Sequence, residues 1–347
     1  MKKLNVLCTA LAAAGLLAAG RAQATLVITG AFASAALTVD GFGGNSGQLQ
    51  ADVPVGSTVV KAYLYSSDVW GGGISPVTFA GNALAVASGT LLAPNANPAN
   101  SNRYDVTSIV KPVIDGGPGG IYNFNIVENG NNDGEVLVVV YRNASTTGTA
   151  IVMDGELALA GDTTTLNFAV PYAGGNAIMS LASSFSYNGN STTNSTGQVT
   201  TVDVVTSSTP SRRLSGCAGG NDDGGFVAAN GMLMTAGGVG DSTANPDPNC
   251  AGGAGDDELY NLAVGNSADA SPFLKAGDTS VTLNTRNPSN DDNVFGLFFT
   301  SSFAVTKVND TEVPPGPGPK VPEPGSLALA GLALAGLGGL RRRTKRA

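Results

Sequence analysis

The sequence contains no histidine, and this absence excludes several common kinds of active site. Serine and cysteine triads use an imidazole as their general base, so the chain lacks the usual means of activating such a nucleophile. Zinc is disfavoured too, because two mature cysteines without histidine make half a zinc site. The sequence also has no nucleophile elbow, phosphate loop or dinucleotide fingerprint.

Positive charge is scarce as well. Between residues 25 and 322 the chain has ten Lys and Arg against 25 Asp and Glu, a net charge of about −15. A surface this acidic repels nucleic acid and anionic polymers unless a cation bridges them, so nucleic acid is excluded as a partner. Only 13% of all residues are charged and 42% are hydrophobic, which favours a packed core over disorder.

The N-terminus has the three parts of a secretory signal peptide. Lys2 and Lys3 supply a positive start, an apolar run follows from residue 4 to 20, and Ala22-Gln23-Ala24 is a small-residue cleavage site. These features predict a signal peptide over residues 1–24, with Thr25 as the first mature residue.

Cysteine is also rare, with three residues in the chain. Cys8 lies inside the predicted signal peptide, which leaves Cys217 and Cys250 in the mature protein. An exported chain meets an oxidising compartment, so these two are predicted to form a disulfide. The bond would close a loop of roughly 34 residues and stabilise the fold by about 3–4 kcal/mol in the chain-entropy model.

Most of the chain reads as short strands separated by Gly-, Asn- and Pro-rich turns. The stretch 122–128 alternates apolar and polar residues, which indicates a half-buried strand, whereas 136–141 is continuously apolar and is predicted to be buried on both faces. Residues 129–134 are expected to join these two as a hairpin. A short helical turn is expected over residues 106–114, broken at Pro112. The pattern predicts an all-β fold, a β-sandwich or jelly roll, built as one large or two tandem sandwiches.

Composition also divides the chain into regions. The predicted order is the signal peptide 1–24, an N-terminal β-sandwich region 25–160, a C-terminal β-sandwich region 161–308, a Pro/Gly linker 309–320, and a C-terminal segment 321–347 that contains a short transmembrane helix at 326–340 and a basic tail at 341–346.

Acidic loops make calcium the candidate cofactor. Calcium takes six to eight oxygen ligands, and glycine lets the backbone wrap around the ion. The spacing is not that of an EF-hand, and Asp is an ordinary turn residue, so a role in turns is the alternative. The candidate ligands are Asp222, Asp223, Asp256, Asp257 and Glu258.

The one catalytic function that these absences leave open is glycan hydrolysis, in which two carboxylates act as a pair. The many acids of this chain allow that reading, but turns and surfaces account for most acids, so a non-enzymatic protein is favoured. Tyr63, Tyr65 and Trp70 are candidates for stacking on a sugar ring, with a place in the core as the alternative.

The last 27 residues have a fixed order of three parts. Val321, Pro322, Glu323 and Pro324 form a stiff extended stretch, because each proline restricts itself and its predecessor. Residues 326–340 contain only Ser, Leu, Ala and Gly, a helix of roughly 22 Å that is short of the roughly 30 Å hydrocarbon core. Arg341, Arg342 and Arg343 begin a cationic end, which stays on the cytoplasmic side of a membrane.

These three parts resemble the PEP-CTERM sorting signal of Gram-negative bacteria. The resemblance implies cleavage near the Pro-Glu-Pro motif by an exosortase, a transient stay in the inner membrane, and delivery to the cell surface or the extracellular space. It also implies a structural or adhesive role in a biofilm, with exopolysaccharide as the favoured partner. An ordinary tail anchor with a proline-rich stalk is the alternative.

Overall fold

The computed structural model describes residues 25–69, 73–92, 99–130, 132–157, 160–184, 200–218, 234–245, 247–248, 258–287 and 293–316. The chain up to Pro314 forms one compact unit, and a second unit begins at Pro315. The predicted signal peptide, residues 317–320 of the predicted linker and the whole sorting tail lie outside the described residues. The earlier part of the predicted linker is described, and Thr311–Glu312 form a strand there.

The described residues form 21 strands and one α-helix. The first ten strands are β1 (Val27–Ala33), β2 (Ala36–Phe42), β3 (Ser46–Val53), β4 (Thr58–Val69), β5 (Val77–Phe79), β6 (Asn82–Leu84), β7 (Thr90–Leu91), β8 (Ala99–Asp105), β9 (Gly120–Glu128) and β10 (Gly134–Arg142). Helix α1 (Thr107–Ile114) lies between β8 and β9. The others are β11 (Thr149–Asp154), β12 (Asp162–Phe168), β13 (Ala177–Ser184), β14 (Thr200–Thr206), β15 (Arg212–Ala218), β16 (Met234–Ala236), β17 (Leu259–Asn261), β18 (Ser280–Arg286), β19 (Asn293–Ser301), β20 (Val305–Val308) and β21 (Thr311–Glu312).

Strands β2 to β10 form a jelly roll, which we call the N-terminal roll. Its inner sheet has the order β2-β10-β4-β8-β7, and its outer sheet has the order β3-β9-β5-β6. With the two-residue β7 set aside, these are the first, eighth, third and sixth strands in one sheet and the second, seventh, fourth and fifth in the other. This order and eight-strand count define a jelly roll.

Strands β11 to β19 repeat the same order and form the C-terminal roll. Its inner sheet runs β11-β19-β13, with the short β16 and β17 both pairing with β13, and its outer sheet contains β15-β14-β18-β12. Strand β1 adds to the inner sheet beside β11, and β20 and β21 extend the outer sheet beyond β12. The roll changes between β10 and β11, whereas the predicted boundary at residue 160 lies one strand later.

Three hydrophobic cores separate the four sheets. One lies inside the N-terminal roll and contains Leu64, Phe79, Phe124 and Leu137. Another lies inside the C-terminal roll and is built by side chains such as Met153, Leu166, Leu283 and Phe299. The third, which we call the central core, lies between the two inner sheets. Each inner sheet is therefore covered on both faces, and the all-β prediction is confirmed.

Burial explains the contrast between β9 and β10. Strand β10 is continuously apolar because Val136 and Val138 face the central core while Leu137 and Val139 face the core of the N-terminal roll. Strand β9 belongs to an outer sheet and has one covered face, so its apolar residues alternate with exposed ones. Both predictions for these strands are confirmed.

The connections between strands were predicted less well than the strands themselves. Residues 129–134 were expected to form a hairpin, but β9 and β10 lie in different sheets, so this segment crosses between them. A tight hairpin does join β5 to β6, where Ala80 and Gly81 both have positive φ, as a two-residue type I′ turn requires. Helix α1 continues two residues beyond Pro112 and packs Val110 and Ile114 into the core of the N-terminal roll.

No helix among the described residues is long and apolar enough to cross a membrane. The predicted transmembrane helix at 326–340 lies outside those residues and stays a prediction.

Candidate functional site

The two rolls meet at a cleft of about 670 Å³ that has charged, aromatic and hydroxyl groups in its wall. We call it the Arg103 cleft. One wall comes from β1 and β11 of the C-terminal roll's inner sheet, and the other from β4, β7 and β8 of the N-terminal roll's inner sheet. Its polar lining comprises Thr25, Thr29, Tyr63, Thr90, Arg103 and Asp154.

Arg103 and Asp154 form an ion pair across this cleft. The Nη1 atom of Arg103 donates to both carboxylate oxygens of Asp154, at 2.8 and 2.6 Å, and to the hydroxyl of Thr29 at 2.6 Å. The side chain of Asp154 is 2% exposed and that of Arg103 is 21% exposed. Burial opposes the charge of Arg103, but the hydrogen bond and charge of Asp154 outweigh it and raise the pKa of the guanidinium.

Tyr65 completes the buried side of this ion pair. Its hydroxyl donates to Oδ2 of Asp154 at 2.7 Å, and its ring lies 5.7 Å from the rings of both Phe295 and Phe298 in the central core. Burial, reinforced by the charge of Asp154, holds the pKa of Tyr65 well above its ordinary value. Tyr65 is therefore a core residue, and it links the inner sheets of the two rolls.

Tyr63 is the aromatic side chain in the cleft wall, and it is also a central-core residue that is 7% exposed. The guanidinium carbon of Arg103 lies 5.5 Å from the centre of the Tyr63 ring, within the range of a cation–π contact. The Nε and Nη2 atoms of Arg103 make no hydrogen bond to any described residue. The cleft thus combines an aromatic ring with planar donors that remain available to a ligand. Trp70, the third predicted aromatic, lies outside the described residues.

The rim of the cleft is apolar. Val27 is 53% exposed and Leu91 is 60% exposed, and both line the opening. The first described residues are fixed beside them, because the hydroxyl of Thr25 and the backbone N–H of Leu26 donate to the two carboxylate oxygens of Asp162. An apolar opening with a few convergent polar groups is the usual composition of a small-ligand site.

Two smaller clefts adjoin each other elsewhere between the rolls. Their volumes are about 320 and 250 Å³, and they share Leu37, Ile178 and Thr300. Their polar side chains are mainly hydroxyls, with Asp52 and Asp241 in the larger cleft and Asn176 in the smaller one, and neither lining has an arginine or lysine. We therefore take the Arg103 cleft as the candidate binding site.

A second polar cluster lies at one end of the N-terminal roll's inner sheet. Glu128 ends β9 and Glu135 lies at the start of β10, and Asn132 between them contacts both carboxylates. The backbone N–H of Asn132 donates to Glu128 Oε2 at 3.3 Å, and its side-chain amide donates to Glu135 Oε1 at 3.3 Å. The hydroxyl of Ser66 donates to the same Glu135 oxygen at 3.0 Å. We call Glu128 and Glu135 the carboxylate pair.

The carboxylate pair is strongly affected by burial. Desolvation raises the pKa of Glu128 to about 7. For Glu135, which is fully buried, desolvation and the nearby charge of Glu128 raise the pKa to about 8, against the hydrogen bonds from Ser66 and Asn132. No described Lys or Arg forms an ion pair with either residue.

Glu156 is a third buried carboxyl group, just after β11. It is fully buried, and desolvation raises its pKa well above the ordinary value of 4.5, with the Ser101 hydroxyl only partly opposing this. Sequence reasoning missed all four of these acids: the two of the carboxylate pair, and also Asp154 and Glu156. The available signal was an acid beside a run of apolar strand residues, as Glu135 is beside Val136.

The predicted metal and disulfide residues are only partly described. Asp222, Asp223, Asp256, Asp257 and Cys250 lie outside the described residues, as does the side chain of Cys217. Glu258 is buried and accepts a hydrogen bond from the hydroxyl of Thr235. Within the part of the chain that the structure describes, no group of three or more Cys, Asp or Glu side chains is placed to hold a metal ion. Calcium at the acidic loops and the 217–250 disulfide stay predictions.

Comparison with known proteins identifies the C-terminus. Residues 320–343 match the PEP-CTERM protein-sorting motif. They include Val321, Pro322, Glu323, Pro324 and the arginines at 341–343, so the resemblance predicted from these residues is confirmed. The chain carries the sorting signal of an exported protein that is processed by exosortase.

The ectodomain has distant structural matches. The crystal structure of BuGH86 in complex with neoagarooctaose is 10% identical, with a TM-score of 0.20 over 78% of this chain and 34% of that one. The major capsid protein P2 of bacteriophage PM2 is 11% identical, with a TM-score of 0.20 over 78% of this chain and 98% of that one. No curated protein sequence matches the chain.

Proposed function

We propose that the mature chain is a non-catalytic protein of the extracellular matrix that binds polysaccharide in the Arg103 cleft. The observation that carries this proposal is the lining of the cleft. The Arg103 guanidinium has available donors beside the Tyr63 ring, threonine hydroxyls lie around them, and Val27 and Leu91 form an apolar rim. Sugar rings present both hydroxyl edges and apolar faces, and this lining offers a partner to each.

The charge of the ectodomain favours a neutral polysaccharide. The segment 25–322 has a net charge of about −15, and Arg103 is already paired with Asp154. An anionic polymer would be repelled over most of this surface. We therefore expect dextran or a neutral β-glucan to bind more tightly than alginate.

A binding and release assay on purified residues 25–314 tests this function. Saturable binding of dextran or β-glucan without released sugar is the expected result. Steady release of reducing sugar would instead support the competing function, a glycan hydrolase that uses a pair of carboxylates. The carboxylate pair is the observation behind that alternative, because raised pKa values are typical of a general acid. Substituting Glu135→Gln would then abolish release, whereas the binding function does not depend on this side chain.

We also propose that the tail is removed at the outer side of the inner membrane, before the protein reaches the cell surface. The cut is expected near Glu323, since the prolines keep this stretch extended and the cationic end holds the helix in place. Mass spectrometry of surface material should find a C-terminus before Arg341. Changing Pro322, Glu323 and Pro324 to alanine should leave the uncut precursor in the inner membrane. An intact chain ending at Ala347 on the surface would contradict processing.

A further inference from the structure

The carboxylate pair leaves buried oxygen atoms without hydrogen-bond partners. Oε1 of Glu128 and Oε2 of Glu135 are both buried, and neither makes a hydrogen bond to a described residue. The other oxygen of each carboxylate is the one that Asn132 contacts. Buried polar atoms without a partner are uncommon in folded proteins, and an ion or a water is the usual explanation.

Two neutral buried oxygens, Asn102 Oδ1 and the Tyr104 hydroxyl, lie near the carboxylate pair. They face each other without a hydrogen bond of normal geometry, and neither has another partner among the described residues. The strand register places them nearby, since Glu135 is opposite Ser66, and Ser66 is opposite Asn102 on the next strand. These side chains therefore share one face of the inner sheet, the face that points into the N-terminal roll.

This set of atoms matches the ligand chemistry of a hard cation. Two carboxylates held close together in a buried setting repel each other unless a proton or a cation lies between them. The four atoms without partners at this site are oxygens, and calcium prefers oxygen ligands while zinc does not. The Asn132 bridge holds the two carboxylates in place before any ion arrives.

We propose that Glu128 and Glu135 bind a calcium ion at this end of the N-terminal roll, through Glu128 Oε1 and Glu135 Oε2. Neutral oxygens and water complete the coordination. With two charged ligands the affinity falls in the range of extracellular calcium modules, with a Kd of about 10⁻⁴–10⁻³ M. This site is separate from the acidic loops around Asp222 and Asp256 and from the Arg103 cleft.

Calorimetric titration of CaCl₂ into residues 25–314 at pH 7.5 tests the site. We expect one calcium per chain to bind at this site, with a loss of at least about tenfold in its affinity on Glu135→Gln or Glu128→Gln. The matched control is Glu156→Gln, which removes another buried carboxyl group and should leave calcium binding unchanged. Near-ultraviolet circular dichroism checks that each variant is folded. If Glu135→Gln does not fold, Glu128→Gln still tests the site.

Three results would overturn the site. The first is wild-type protein that binds no calcium at millimolar concentration. The second is full calcium binding by both folded glutamine variants. The third is binding that is lost in the Asp222→Asn, Asp223→Asn double variant and kept in Glu135→Gln, because it would assign the ion to the acidic loops instead.

Discussion

The two rolls share one strand order but differ in what they bury. The core of the C-terminal roll is built from large apolar side chains, among them Phe168, Phe273 and Phe299. The core of the N-terminal roll is also apolar in the middle, but one end of its inner sheet carries the buried Glu135 beside Ser66 and Asn132. Buried carboxyl groups occur in the C-terminal roll too, at Glu156 and Glu258, but the N-terminal roll places Glu128 and Glu135 side by side.

The polar residues at the end of the N-terminal roll are not needed for its strand order. Strand order needs apolar residues at covered positions, and both rolls supply them. A buried carboxylate with few partners destabilises a fold, so two such groups side by side, Glu128 and Glu135, point to a role that the fold does not require. The buried carboxylate of Asp154 is stabilised in a different way, because Arg103 from the opposite roll neutralises its charge.

The largest expected effect concerns the two cysteines of the predicted mature chain, Cys217 and Cys250. Replacing Cys217 and Cys250 by serine should lower the free energy of unfolding by about 3–4 kcal/mol, because the open loop gains entropy in the unfolded chain. Denaturant titration measures the change, with the reduced wild-type protein as its control. Labelling of the unreduced, denatured protein should find no free thiol, and two labelled thiols would refute the bond.

The next effect breaks the contact between the rolls. Substituting Asp154→Asn leaves Arg103 without its counter-ion and weakens the link through Tyr65. We expect a loss of about 3 kcal/mol, the low end for a buried pair because Arg103 is partly exposed. Thermal unfolding monitors the change.

The matched control for this substitution is Asp203→Asn. Asp203 pairs with Arg213 at 2.7 Å on the surface of the C-terminal roll, where an ion pair contributes about 0–1 kcal/mol. Equal losses for the two variants would mean that the Arg103–Asp154 pair does not hold the rolls together.

A smaller effect tests the buried Glu156 through pH. Its folded pKa lies well above 4.5, so the folded state keeps the proton that the unfolded state has released. The contribution to stability is thus complete below pH 4.5 and is lost as pH rises toward the folded pKa. Glu156→Gln stays neutral at every pH, so it should be more stable than wild type by about 1–2 kcal/mol at pH 8 and equal to it near pH 4.

The exposed Glu312→Gln variant is the control for this pH series. Its carboxylate is 67% exposed beside Lys307, so the substitution should have little effect at either pH. A Glu156→Gln stability that follows wild type between pH 4 and 8 would contradict a neutral, buried carboxyl group.

Strand identity was the part of the fold that the sequence could predict. The continuous apolar run 136–141 and the alternating stretch 122–128 differ because one sheet is covered twice and the other once. The pairing of strands was harder, because most neighbours in a jelly roll are far apart in the chain. The expected hairpin at 129–134 failed for this reason, as β9 and β10 lie on opposite sides of one core.

The candidate sites could not be predicted from the sequence, because their residues are brought together by the same long-range pairing of strands. Asp-Asp repeats in loops are easy to see in a sequence, and they attracted the calcium prediction. Glu128 and Glu135 are brought together by a crossing segment between two sheets, and Arg103 meets Asp154 across two rolls. The sorting signal could be read in full because its function depends on linear order alone.

The affinity of cleft variants for neutral polysaccharide tests the central claim most directly. Leu91→Asp places a carboxylate at the apolar rim, and Arg103→Lys keeps the charge opposite Asp154 while removing the planar donors. Their matched controls are Val55→Asp, at a turn residue that is 72% exposed outside the cleft, and Arg213→Lys, in the surface pair with Asp203. We predict at least about tenfold weaker binding for both cleft variants and unchanged binding for both controls. Wild-type affinity in folded Leu91→Asp and Arg103→Lys would show that polysaccharide does not bind in the Arg103 cleft.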